Sequence, residues 1–80
     1  MKMEEFNRIT FDSKIMGGRA CIRGMRMTVA HLVNLVANGM STKEILADYP
    51  DLEPEDIREA LQYAALLARE ETYLLKVAHG

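Results

Sequence analysis

Only one cysteine, Cys21, occurs in the 80-residue chain. No internal disulfide can form, and no Cys/His spacing suits a structural zinc site. Nothing covalent staples a chain of this size, which buries a modest fraction of its surface and is marginal alone. Oligomerisation or a partner is the remaining route to stability. A lone cysteine fits a reducing compartment. Cys21 reads first as a small buried residue, with a reactive thiol as the alternative because arginines flank it. Long apolar runs are also missing. The longest, Ala64 to Ala68, falls far short of the ~20 residues a membrane span needs. The opening Met1-Lys2-Met3-Glu4-Glu5 lacks the basic-then-apolar layout of a secretory leader. The expectation is a soluble, cytoplasmic protein with no membrane contact.

Catalytic groupings are equally scarce. The two histidines, His31 and His79, stand far apart, and His31 precedes core-type Leu32. No Ser/His/Asp set or carboxylate pair is evident. Gly17-Gly18 followed by Gly24 matches neither a P-loop nor a dinucleotide fingerprint. An enzyme is not expected, and neither is a cofactor, a metal or a small-molecule substrate.

What the chain does have is uneven charge. Residues 1–40 hold six basic and three acidic side chains, and residues 41–80 hold four basic and nine acidic ones. The balance hints at a basic and an acidic face, hence two kinds of partner, against the plainer reading of a solvated surface. The basic half is concentrated in Gly17-Gly18-Arg19-Ala20-Cys21-Ile22-Arg23-Gly24-Met25-Arg26-Met27-Thr28-Val29. Closely spaced glycines mark backbone that bends. Arginines on such backbone offer planar charged forks to phosphate, carboxylate or a base edge.

The chain reads as a single domain, 1–80, mainly α, with an N-terminal β segment over 6–28 and a helical bundle over 29–76. Phe6 to Asp12 has the composition of a strand, with Ile9 and Phe11 on one side and Arg8 and Thr10 on the other. Asp12-Ser13-Lys14 and Gly17-Gly18 read as turns. Cys21 to Met27 is a second extended segment, and Gly24 within it suggests a bulge that returns Arg23 and Arg26 to a common face. Val29, Leu32, Val33, Val36 and Met40 then follow helical spacing, with Thr28 as N-cap and Gly39 just past the end. Ser41-Thr42-Lys43-Glu44 is a capping box for a second helix that ends near Asp48, before Pro50. Pro54 and its acidic neighbours open a third helix reaching about Lys76. Its expected stripes are Ile57, Leu61, Ala64 and Ala68, with Ala60, Leu67 and Leu74 beside them. The run Ala64–Ala68 is apolar over more than one face, which suits a homodimer.

Ser41 to Leu61 thus has a helix-turn-helix layout. The start of its second helix carries Glu53, Glu55, Asp56 and Glu59, with Arg58 the one base. Carboxylates repel phosphate, which supplies most DNA affinity. If DNA is bound, the candidates are Arg19, Arg23 and Arg26, joined by Lys14, Lys43 and Arg58. The acidic third helix would then suit a basic protein partner.

The segment Gly17–Val29, then Asn38-Gly39-Met40-Ser41, Glu44–Leu52 and Glu55–Leu61 resemble the small bacterial family called domain of unknown function 433. The chain departs from the family's usual pattern at Ala20, where proline is usual, at Met25, where threonine is, and at Glu53, where Ser or Thr commonly caps the helix. The resemblance implies a homeodomain-like helix-turn-helix fold, to which the residues themselves add a long last helix. It implies a VapB-type antitoxin that regulates its own transcription and neutralises a toxin of PIN-like fold. A helix-turn-helix-shaped interaction module that never touches DNA is the alternative.

Overall fold

Three helix starts are set by local chemistry, and they divide the chain. Thr28 accepts a hydrogen bond from the His31 N–H at 3.0 Å and opens α1, Val29–Ala37. Gly39, with φ +92°, closes it: the Gly39 and Met40 N–H groups return to the Val36 and Leu35 carbonyls. Ser41 and Glu44 form the reciprocal capping box that opens α2, Thr42–Asp48. Hydrogen bonds from the Ser41 backbone and then its side chain hold the Glu44 carboxyl below its ordinary range. Pro54 occupies the first position of α3, Pro54–Ala78. This computed structural model describes the backbone of residues 2–3 and 6–78 and the side chains of residues 6–69.

Ahead of the helices stands a three-stranded antiparallel sheet, β1 Lys2–Met3, β2 Phe6–Thr10 and β3 Cys21–Ile22, in that spatial order. The strand pairing to β2 ahead of Phe6 was not foreseen. β2 sets Ile9 opposite Ile22 and Thr10 opposite Cys21. The loop between β2 and β3 turns at Asp12, whose carboxylate accepts from the Lys14 N–H at 2.9 Å, and then passes through a tight left-handed turn at Met16–Gly18, with φ of +52°, +68° and +83°.

Gly24 does not make a bulge. Arg23 and Gly24 both have positive φ, +44° and +70°, and the Met25 N–H reaches the Ile22 carbonyl at 2.7 Å. That is a type I′ turn, which glycine at its second central position suits. Cys21 pairs back with Thr28 beyond it, so β3 and the entry to α1 form a small hairpin. The alternation that suggested one interrupted strand is therefore two short arms and a reversal.

Phe6, Ile9, Ile22, Met27, Val29, Leu32, Ile45, Leu52, Ile57, Ala60 and Tyr63 make one buried cluster joining sheet and helices. Tyr63 meets Phe6 and Phe11 edge-on, at ring separations of 5.6 and 6.2 Å. The buried stripe of α3 is Asp56, Ile57, Ala60 and Tyr63, not the expected Ile57–Leu61–Ala64–Ala68 line. Leu61 is 37 % exposed and Leu67 60 %. The shift arises because both Asp56 oxygens are satisfied by Arg8, Arg23 and the Glu53 N–H, and the Tyr63 ring packs against Phe6 and Phe11. Leu74 lies outside the described side chains. Among the described residues no helix is long and apolar enough to cross a membrane.

Candidate binding face

The cationic side chains expected to act together separate into two groups. Arg23, at the first position of the type I′ turn, points to the start of α3. Its Nε donates to Asp56 Oδ1 at 3.0 Å, and one terminal nitrogen donates to Asp56 Oδ2 and the Asp51 carbonyl, both at 2.8 Å. Arg8 approaches the same carboxylate from β2, donating to Asp56 Oδ1 at 2.9 Å and to Glu53 Oε1 at 2.6 Å. Glu59 accepts from the Arg8 backbone N–H at 2.8 Å. Asp56 is fully buried and also accepts from the Glu53 N–H at 2.8 Å, so it caps α3 while neutralising two arginines. Burial pushes the Asp56 carboxyl up. Hydrogen bonds from Arg23, the Glu53 N–H and Arg8 outweigh it and leave the group below its ordinary value. The same contacts raise both guanidinium groups further, Arg8 through Glu53 first and Arg23 through Asp56.

The acidic start of α3 is therefore not a bare carboxylate surface. Glu53, Asp56 and Glu59 are engaged by Arg8 or Arg23, and Glu55 alone of the four turns from them, 3.6 Å from Arg58. That exposed pair contributes a few tenths of a kcal/mol (~0.3) at most.

Arg19 and Arg26 face elsewhere. Both are exposed, and neither has an ion-pair partner among the described residues. Together they line an open notch of about 470 Å³ with Met16, Thr28, His31 and Asn34. Beneath them Cys21 is buried. Desolvation pushes its thiol up, against the pull of Arg19 and Arg26, so it fits the reading of a small core residue. Beside the notch runs a larger apolar groove of about 690 Å³, lined by Phe11, Val29, Val33, Tyr63, Ala64 and Leu67 among others. Arg19, Thr28, Ala30 and Asn34 border both hollows, making them one continuous face. Lys14 and Lys43 are exposed on other segments, and His31 meets the Tyr49 hydroxyl at 3.3 Å.

The profile of the family described as Protein of unknown function (DUF433) matches residues 9–64. The chain belongs to that family. No curated protein and no solved structure matches it. The DUF433 match takes in Arg19, Arg23, Arg26 and Asp56, and stops at Ala64. Leu67 and Ala68 thus complete the apolar groove from outside the matched span.

Three features of this arrangement had unequal signals in the sequence. Asp56 stands three residues after Glu53 at a Pro-started helix, the position of a capping acid. Arg8 carried no signal of its own, because its partners lie 45 and 48 residues away. The groove had a partial signal in the many-sided apolar run at Ala64–Ala68.

Proposed function

We propose that this chain is a non-catalytic interaction module of the antitoxin type, acting in the cytoplasm. Its task on this reading is to hold a protein partner on the face that bears Arg19 and Arg26. One observation carries it. These two arginines stand unpaired among the described residues beside an open apolar groove, while Arg8 and Arg23 are matched internally. Apolar surface joined to exposed arginine is the composition of a protein interface centre, where arginine and large apolar groups dominate affinity. A DNA groove would leave most of that apolar floor uncompensated. The resemblance noted above supplies the kind of partner: a toxin of PIN-like fold encoded alongside. Co-expression with the product of the adjacent reading frame, followed by calorimetry on the purified proteins, tests this. Wild type is expected to bind, and Leu67→Asp to weaken binding about tenfold or more. Unchanged affinity with Leu67→Asp removes this face from the reading.

Binding to operator DNA is a second reading, and one observation favours it. Engagement of Glu53, Asp56 and Glu59 by arginines lowers the repulsion that the acidic third helix would otherwise exert on phosphate. Arg19 and Arg26 would be the main contacts, with Lys43 and Arg58 as further phosphate ligands. A gel-shift titration on the upstream DNA should then show salt-sensitive binding weakened by Arg19→Ala and Arg26→Ala. Absence of any shift with folded protein sets the DNA reading aside.

A further inference from the structure

Resting on the protein-partner reading, we infer that the occupant of this face is an acidic amphipathic segment. Its apolar side chains fill the groove between Val33, Tyr63 and Leu67, and its carboxylate is held jointly by Arg19 and Arg26. The two hollows adjoin and share Arg19 as a common border, so one ligand spans both. Among the described residues no Asp or Glu lines either of them. Arg19 and Arg26 line one notch with no counter-charge among the described residues, so a carboxylate seated there can accept from both forks. The groove's volume is within the ~300–1,000 Å³ of small-ligand sites. Apart from Tyr63, however, its polar lining residues, Arg19, Thr28 and Asn34, are those it shares with the notch, and they do not converge around the groove as a small molecule requires. An elongated ridge of apolar side chains with an acid on its flank matches that division, and the amphipathic helix is the common form of such a ridge.

The test uses the full chain and a synthetic amphipathic helical peptide with leucines on one face and glutamates on its flank. Two companion peptides carry glutamine or lysine at those flank positions. Titration followed by fluorescence anisotropy is expected to rank glutamate above glutamine by about tenfold per engaged arginine, with lysine weakest. The double variant Arg19→Glu, Arg26→Glu should reverse the order, and Leu67→Asp should weaken all three. Circular dichroism on the same samples separates lost binding from lost folding. Equal binding of the three peptides overturns the inference. So does a wild-type dimer in light scattering that Leu67→Asp dissociates and that no peptide displaces, which would assign the groove to a second copy. If no peptide binds but the neighbouring gene product still binds in a Leu67-dependent way, the acidic segment is wrong and the interaction module stands. Loss of Leu67 dependence there takes both away.

Discussion

Two pairs of arginines come from the same N-terminal third of the chain and meet opposite fates. Arg8 and Arg23 converge on Asp56, a carboxylate fully removed from water, and help fasten the sheet to the start of α3. Arg19 and Arg26 bracket Cys21 in sequence, yet their guanidinium groups stand outward beside an apolar groove. The backbone accounts for much of the difference. The left-handed turn at Arg23-Gly24 sends Arg23 back toward α3, and Arg26 follows on the returning arm. Residue type alone therefore does not assign a role. A guanidinium facing a buried carboxylate is part of the fold, and one facing solvent with no counter-charge is available for recognition.

The comparison breaks most visibly at Asp56. Asp56→Ala strands two arginines and the Glu53 N–H, and should cost about 3 kcal/mol. That is the lower end for a buried charge, because Arg8 and Arg23 are partly exposed and can turn to water. Urea unfolding measures it, and a loss below about 1 kcal/mol would mean the inner cluster does not hold the fold. Acid titration sharpens the same point. The Asp56 carboxyl is depressed in the folded state relative to about 3.9 unfolded, so its contribution is fully present above about pH 4. The contribution is lost as pH falls through the folded value. Asp56→Asn should therefore flatten the decline of the urea midpoint below pH 4 relative to wild type.

Next in size is the turn that separates the two pairs. Gly24→Ala meets no neighbour within 4 Å, so its expected cost is conformational, about 1–2 kcal/mol for a side chain at positive φ. A neutral result would mean that another turn serves as well. The smallest effect belongs to the outer pair. Arg19→Ala and Arg26→Ala should each change stability by no more than about 0.5 kcal/mol, since neither holds an ion pair among the described residues. A larger loss in thermal unfolding would place them in the fold beside Arg8 and Arg23.

Much of the helical frame was legible because its signals are local. Thr28, Gly39, the Ser41–Glu44 box and Pro54 each act within four residues of themselves, and each stands where the sequence placed it. The inner charge cluster was not legible, because Arg23 and Asp56 are 33 residues apart and one sequence carries no sign of which distant charges meet. That same gap turned Asp56 from a supposed surface acid into the most buried charge described. Gly24 was recognised as the residue that shapes the arginine segment, but period-two alternation cannot tell a bulge from a reversal. The stripe of α3 was misplaced for a related reason. Hydrophobicity ranks Leu61 above Tyr63, whereas Phe6 and Phe11 supply the ring contacts that draw Tyr63 inward.

Asp56 takes four hydrogen bonds from three stretches of chain, and this has a consequence for inheritance. Arg8, Arg23 and Asp56 are expected to be inherited together. Lysine at Arg23 loses the two-nitrogen fork on Asp56, lysine at Arg8 must reach Glu53 and Asp56 from a differently shaped head, and glutamate at Asp56 moves the carboxylate away from the cap, so a change at one is expected to weaken the contacts of the others. Arg19 and Arg26 carry no such mutual obligation to the fold. On the proposed reading, exchanging them one at a time would alter the partner-facing surface and leave the scaffold intact.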